Sequence, residues 1–425
     1  MFNARQSAVL ALMGAALAAP VAGCHRGPGA RPPKPIQVRA GPGGVRGGAR
    51  AGLGKASAIA DAVQHAAHHP PAPVEPLALC PGTGDALAEA RDLYDRERFA
   101  LALSCSARAC ADAPDSAAAH AERAADLVAL GRLDDARLAF ARALALDPDH
   151  ADALLGAADL YITRLPGSRD DDELALVYAD RGLRLARHRK QAQLVGSFAL
   201  EAAMAQNDLG RPKDALASAV EALRHGAPRD DAAYEKASAL YELCRFADAR
   251  ALFTQLARVK SKEAFARYHL GLIAERAGDA AGAAAEMSAA RKLDPRDFPP
   301  EVNVTRAEFA AMVRRQVAAL PAKMRADLAT VPLQVQDLPD LADLTANDPP
   351  LSPAILGLFR GPSLGERCDP GDVGPCRSIA LYRKNLARVT VDKADLEQQV
   401  RVTLLHELGH LRGEDDSELA ARGLE

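Results

Sequence analysis

The sequence predicts a mainly α protein: an α-solenoid of two-helix repeats followed by a small α+β domain. Three observations carry that prediction. A 34-residue period runs through the middle of the chain, and it stops after Asp297-Phe-Pro-Pro300. Short apolar runs then alternate with helical patterns, ending in a long amphipathic stretch that holds His406-Glu407-Leu408-Gly409-His410. Aromatic residues make up only 4% of the 425 residues and Trp is absent, so most packing must bring small side chains close together, as stacked helices do. A formal net charge of −3 with 48% hydrophobic and 26% charged residues excludes a wholly disordered chain and a polytopic membrane protein. It supplies no basic excess of the kind that nucleic acid requires.

Residues 1–24 read as an address. Arg5 precedes an apolar stretch from Ala8 to Ala22, which Pro20 interrupts and which is too short for a comfortable membrane span. Val21-Ala22-Gly23-Cys24 resembles a bacterial lipobox. The resemblance implies diacylglycerol on the Cys24 sulfur and an exported lipoprotein. With no Asp after Cys24, it implies the outer membrane, facing the periplasm or the cell surface. Residues 25–80 are expected to be a flexible tether, because nine Gly and nine Pro fall within 56 residues. The tether holds seven Lys or Arg against two acids, Asp61 and Glu75, a balance suited to resting on anionic surfaces. His65, His68 and His69 share a face if residues 57–69 are helical, but a linker offers no fixed support for a metal site.

Residues 81–300 carry the repeats. Gly210, Cys244 and Gly278 are spaced by 34, as are Ala215, Ala249 and Ala283 five positions later; Glu97 with Gly131, and Ala102 with Ala136, repeat the same interval. From Gly131 to Gly210 the interval is 79, two periods plus 11, and the extra residues fit a loop around Leu165 to Glu173. The turn residue lets the first helix stop, the Ala lets the second pack closely, and Pro148 and Pro295 close their units. Units of this length resemble the tetratricopeptide repeat. That resemblance implies a concave groove for an extended peptide or protein segment.

Residues 301–425 carry the chemistry. Thr305 is placed to cap a helix running to Leu320, with Glu308 completing a capping box. Val331 to Val335 and Ser378 to Arg383 read as strands separated by a loop rich in Pro, Asp and Gly. Lys393 to Leu411 reads as a helix with Leu396, Val400, Leu404 and Leu408 four residues apart. Histidines at i and i+4 reach one zinc ion, and the intervening Glu407 projects beside the ion's open position. A catalytic Zn2+ takes three protein ligands and a water. Gly413 is suited to a left-handed helix end that turns the chain back and lets a carboxylate three residues later approach. Asp416 is the expected third ligand, with Asp415, Glu414 and Glu418 in reserve.

These residues bring a family into view. Val304 to Glu425 resembles the small bacterial zincin-like metallopeptidase domain, through Leu356 to Gly361, Glu366-Arg367, Ile379 to Arg383, and Thr403 to His410 within Leu396 to Leu424. The resemblance implies zinc on His406, His410 and Asp416, with Glu407 as catalytic base and peptide hydrolysis as the activity. The rival expectation is an envelope scaffold lipoprotein whose zincin-like domain does not catalyse. Tyr382, Arg383 and Arg412 are the candidate contacts for oxyanion or substrate. No Met follows Met324, which excludes a methionine turn beneath the site. Cys368 and Cys376 flank a turn-rich loop suited to a disulfide, Cys80 has Cys105 or Cys110 as partner, and Cys244 is expected to be free.

Overall fold

The computed structural model describes residues 79–81, 84–165, 167–368 and 375–424, together with the backbone of residues 38–40. The expected signal segment, Cys24, the histidines of the tether and most of the tether itself lie outside the described residues. No helix among the described residues is long and apolar enough to cross a membrane. Among the described residues the chain divides into two compact units, residues 79–206 with 214–236, and residues 38–40 with 207–213 and 237–424.

A strand of three residues, β1 (Val38–Ala40), comes first and belongs to the second unit. Twelve helices then build the repeat solenoid: α1 (Ala86–Asp95), α2 (Phe99–Asp112), α3 (Ala117–Ala129), α4 (Leu133–Leu146), α5 (Ala151–Asp159), α6 (Arg169–His188), α7 (Ala192–Asp208), α8 (Pro212–Arg224), α9 (Arg229–Glu242), α10 (Phe246–Leu256), α11 (Glu263–Arg276) and α12 (Ala280–Leu293). The predicted turn positions share one backbone conformation. Glu97, Gly131, Gly210, Cys244 and Gly278 all have φ between +56° and +81°. That region is readily accessible to Gly and uncommon for other residues, so the repeat is written in the backbone even where Glu97 or Cys244 replaces Gly. Five residues on, Ala102, Ala136, Ala215 and Ala249 are fully buried and Ala283 nearly so. A larger side chain there would force the paired helices apart.

The 11-residue insertion is more helical than expected. After α5 the chain makes a π-helical turn over Leu160–Arg164, and α6 already begins at Arg169. Ser168 and Asp171 form a reciprocal capping box, and Asp170, Asp171 and Asp172 favour the positive end of the helix dipole. The second half of the expected loop is therefore helical from Arg169 on, and among its described residues only Leu165, Gly167 and Ser168 lie outside a helix. A disulfide joins Cys80 to Cys105, which leaves Cys110 free and buried.

The C-terminal part begins with α13 (Arg306–Ala319), capped by Thr305 and Glu308 as expected, and α14 (Ala322–Leu328). It continues through β2 (Leu333–Gln336), α15 (Leu341–Leu344), β3 (Gly357–Arg360), β4 (Ser378–Tyr382), α16 (Arg383–Arg388), α17 (Lys393–Arg412) and α18 (Asp416–Ala420). The sheet has the order β1-β3-β4-β2, with β3 antiparallel to β1 and β4, and β2 parallel to β4. β3 falls in the region read as loop. Its four residues carry no alternation for a sequence pattern to detect, because both faces of Gly357, Leu358 and Phe359 are buried.

The leucine stripe of α17 packs into the domain core. Leu396, Val400, Leu404, Leu408 and Leu411 meet Phe309 and Val313 from α13 and Leu356, Phe359, Ile379 and Leu381 from the sheet region. At about 1.5–3 kcal/mol for each fully buried aliphatic side chain, this stripe holds the helix on the sheet. The sequence reading divides repeats from the C-terminal domain at residue 300, whereas the second compact unit runs from 237 to 425. On α11, Glu275 binds both Lys384 Nζ (2.7 Å) and the Arg388 guanidinium, and Arg388 Nε also donates to Glu301 (2.9 Å). Arg276 donates to the Pro339 carbonyl at 2.7 Å. The last repeat helices are thus part of the wall on which the C-terminal domain is built.

Candidate metal centre

The helical spacing of α17 places His406 and His410 one turn apart, and their Nε2 atoms lie 2.9 Å from each other. The helix then ends as expected: Gly413 has φ 95° and ψ 8°, its N–H and that of Glu414 close the last turn, and the chain reverses. Asp415 becomes the N-cap of α18 in a reciprocal capping box with Glu418. Asp416, the first residue of that helix, points its Oδ1 at both imidazoles, 3.2 Å from His410 Nε2 and 3.5 Å from His406 Nε2.

The reserve carboxylates are committed elsewhere. Asp415 and Glu418 bond each other's backbone amides, and Glu414 pairs with Arg422. Among the described residues, His406, His410 and Asp416 form the one group of three metal-ligating side chains whose donor atoms lie within 4.8 Å of each other.

The outer ring nitrogens determine what the inner ones can do. His406 Nδ1 is 2.6 Å from the Leu424 carbonyl, and His410 Nδ1 is 3.0 Å from the Glu414 carbonyl. A carbonyl oxygen only accepts, so both Nδ1 atoms act as donors and each neutral ring presents a bare lone pair at Nε2. Two such lone pairs and a carboxylate oxygen meeting at 2.9–3.5 Å repel unless a positive charge stands between them. Four ligands at about 2.0–2.1 Å from zinc lie about 3.3 Å apart in a tetrahedron, so the triangle has the size of three zinc ligands. The imidazole side chains are 5% and 0% exposed and the Asp416 side chain 49%, which makes the carboxylate side the open one.

Without an ion the same three groups pair only through protons: burial pushes the Asp416 carboxyl up, but the two imidazoles, when protonated at Nε2, donate to it and hold it well below the ordinary carboxylate range. Burial opposes the charged form of His406, and the Asp416 carboxylate outweighs it, so the His406 pKa is raised. Glu407, one residue beyond His406, is completely buried. Burial pushes its pKa up to about 7, against the pull of His406, His410 and the Phe359 amide. Neither of its carboxylate oxygens has a well-aligned hydrogen-bond partner. Such weak hydrogen-bond support makes the ionised form costly to bury.

Gly357 on β3 makes room for it. A Cβ there would lie 2.6 Å from Glu407 Oε1 and 2.7 Å from Thr403 Cγ2. Sequence reading did not single out this glycine, although its position in the run Leu356 to Gly361 was the available signal.

The candidate substrate contacts are placed as follows. Tyr382 is fully buried and its hydroxyl faces Arg360 at 3.4 Å. Arg383 is spent on Asp337 (2.9 Å) and the Val304 carbonyl (2.7 Å). Arg412 sits 3.6 Å from Asp327. Strand β4 turns its last residue inward. The Cys368–Cys376 disulfide forms as expected, and Cys244 is free with its thiol near the Leu351 carbonyl (3.8 Å).

Residues 328–424 match the family of zincin-like metallopeptidases, and residues 122–182 and 234–298 match the tetratricopeptide repeat. No curated protein matches the chain. Similar solved structures include Pseudomonas aeruginosa PilF, 18% identical over 49% of this chain and 90% of that one, with a TM-score of 0.41. PilW, a type IV pilus biogenesis factor, is 19% identical over 49% and 92%, also with 0.41. YrrB, described as a tetratricopeptide-repeat protein with an unusual peptide-binding site, is 19% identical over 45% and 92%, with 0.35.

Proposed function

We propose that this chain, with tetratricopeptide repeats followed by a zincin-like metallopeptidase domain, hydrolyses peptide bonds in a protein substrate that the repeats position. The observation that carries the reading is the convergence of His406 Nε2, His410 Nε2 and Asp416 Oδ1, with both outer nitrogens committed to carbonyl oxygens. Those three residues would hold zinc. When bound, zinc supplies Lewis acidity to the scissile carbonyl and makes water a nucleophile at neutral pH.

Glu407 is the base. Its buried carboxylate takes the proton of the attacking water, and the same oxygen then carries that proton to the leaving amine. Burial raises its basicity, and a pKa near neutrality suits a group that must both accept and return a proton. Gly357 keeps the carboxylate free, and the half-exposed Asp416 leaves the approach open to an extended chain.

We assign the protein to the exported lipoproteins, anchored through Cys24 at the outer membrane. The Cys80–Cys105 and Cys368–Cys376 disulfides support an oxidising compartment.

The test is metal analysis of the purified protein beside a proteolysis assay on an unfolded protein substrate. One zinc per chain, lost in His410→Ala, and proteolysis abolished in Glu407→Gln with zinc retained, is the expected pattern. Zinc bound with no proteolysis in any condition points to the scaffold, and no zinc at all refutes the site.

A further inference from the structure

We infer that residues 416–424 form a clasp whose Leu424 carbonyl is the positioning group for His406. The inference rests on the zinc site proposed above and goes beyond its ligands. His410 Nδ1 donates to the Glu414 carbonyl, four residues away just past the end of its own helix. His406 has no such local partner. Its Nδ1 reaches a carbonyl 18 residues ahead, at 2.6 Å, in a segment that must fold back completely to arrive there.

The fold-back is built from specific contacts. Leu419 on α18 is fully buried against Gly409, where a Cβ would stand 2.3 Å from Leu419 Cδ2. The chain then reverses again at Gly423, whose φ of +70° suits glycine and strains any other residue. The Gly423 amide donates to the Ala420 carbonyl (2.9 Å) and the Leu424 amide to the Leu419 carbonyl (3.1 Å). Leu424 is itself buried, 8% exposed. These bonds aim the Leu424 carbonyl at His406. The same segment therefore supplies the carboxylate of Asp416 and the acceptor that keeps the His406 proton on Nδ1, leaving Nε2 as ligand.

Groups that orient a metal-binding histidine through its outer nitrogen typically change affinity by about 10–100-fold when lost. The clasp is tested in the full chain with Gly423→Val, which strains the reversal, and with a chain ending at Gly423, which removes the carbonyl. Zinc affinity is read by competition with a chromophoric chelator. The His406 tautomer is read in the metal-free protein from its ring 15N shifts at about pH 9, where a neutral imidazole is expected.

The wild type is expected to show the Nδ1–H form, and both variants to lose it and to bind zinc about 10–100-fold more weakly at a temperature where each is folded. A variant that keeps both the tautomer and the affinity overturns the clasp. If the wild type binds no zinc, the functional proposal fails, while the tautomer comparison still decides whether Leu424 holds His406.

Discussion

Gly357 and Glu407 share a volume that only one side chain can occupy: a methyl group on Gly357 would lie 2.6 Å from Glu407 Oε1. β3 and α17 are both held by the domain core, so the strand cannot back away. Gly357→Ala is expected to displace the Glu407 carboxylate and lower kcat by about a hundredfold, the lower end of what a general base contributes. Zinc affinity should stay at the wild-type value, because none of the three ligands moves. A parallel loss of zinc would mean that the strand supports the metal site rather than the base.

The choice of Asp416 over its neighbour has a direct consequence. Asp416→Ala removes a donor atom 3.2 Å from His410 Nε2, whereas Asp415→Ala removes only the cap of α18. The first should lose zinc outright. The second should cost about 1 kcal/mol of stability, as cap removal does, and weaken zinc far less. Chelator competition on the two proteins separates them, and equal losses would reopen the identity of the third ligand.

What was legible in the sequence and what was not divide along a physical line. The turn positions could be read from Gly131, Gly210 and Gly278 because a left-handed backbone selects glycine, and Cys244 and Glu97 were recoverable only through their spacing. His406, His410 and Asp416 were legible because a helix of known pitch and a glycine stop constrain where three side chains can point. The Leu424 carbonyl was invisible, since a backbone group leaves no trace in residue type. The continuity of the last repeats with the C-terminal domain was hidden as well. Its contacts are made by Glu275, Lys384 and Arg388, which read as surface residues until their partners are seen.

That buried group of charges yields a third prediction. Arg388 has a side chain only 9% exposed and serves both Glu275 and Glu301. Arg388→Ala leaves Glu301 without this partner and Glu275 with Lys384 alone, and should cost about 3 kcal/mol, the lower end of the penalty for breaking a buried ion pair from one side. A triple exchange to Arg388→Met, Glu275→Leu and Glu301→Leu removes the stranded charges and should recover most of that loss. Denaturant unfolding of the two variants decides the matter, and a triple variant no better than Arg388→Ala would show that the charges themselves hold the unit together.

The last prediction concerns pH. Glu242 at the end of α9 is 5% exposed, and its Oε1 has no partner. Burial pushes its pKa from the usual carboxylate range up to about 8, with Ser352 and Arg276 pulling the other way. The folded protein therefore holds this proton where the unfolded chain has released it. Since the folded state binds more protons, stability is fullest below the unfolded pKa of about 4.5 and falls as pH rises, until the loss saturates above about pH 8. Between those limits the slope approaches about 1.4 kcal/mol per pH unit at its steepest. Glu242→Gln keeps the shape and removes the titration. Thermal midpoints measured at intervals from about pH 5 to 9 should decline less steeply in the variant than in the wild type, since Glu407 and the other buried carboxyls still titrate, with the variant the more stable protein at the alkaline end. A wild-type midpoint that instead rises with pH over that interval would mean Glu242 is ionised in the folded state, held by Arg276 strongly enough to overcome its burial.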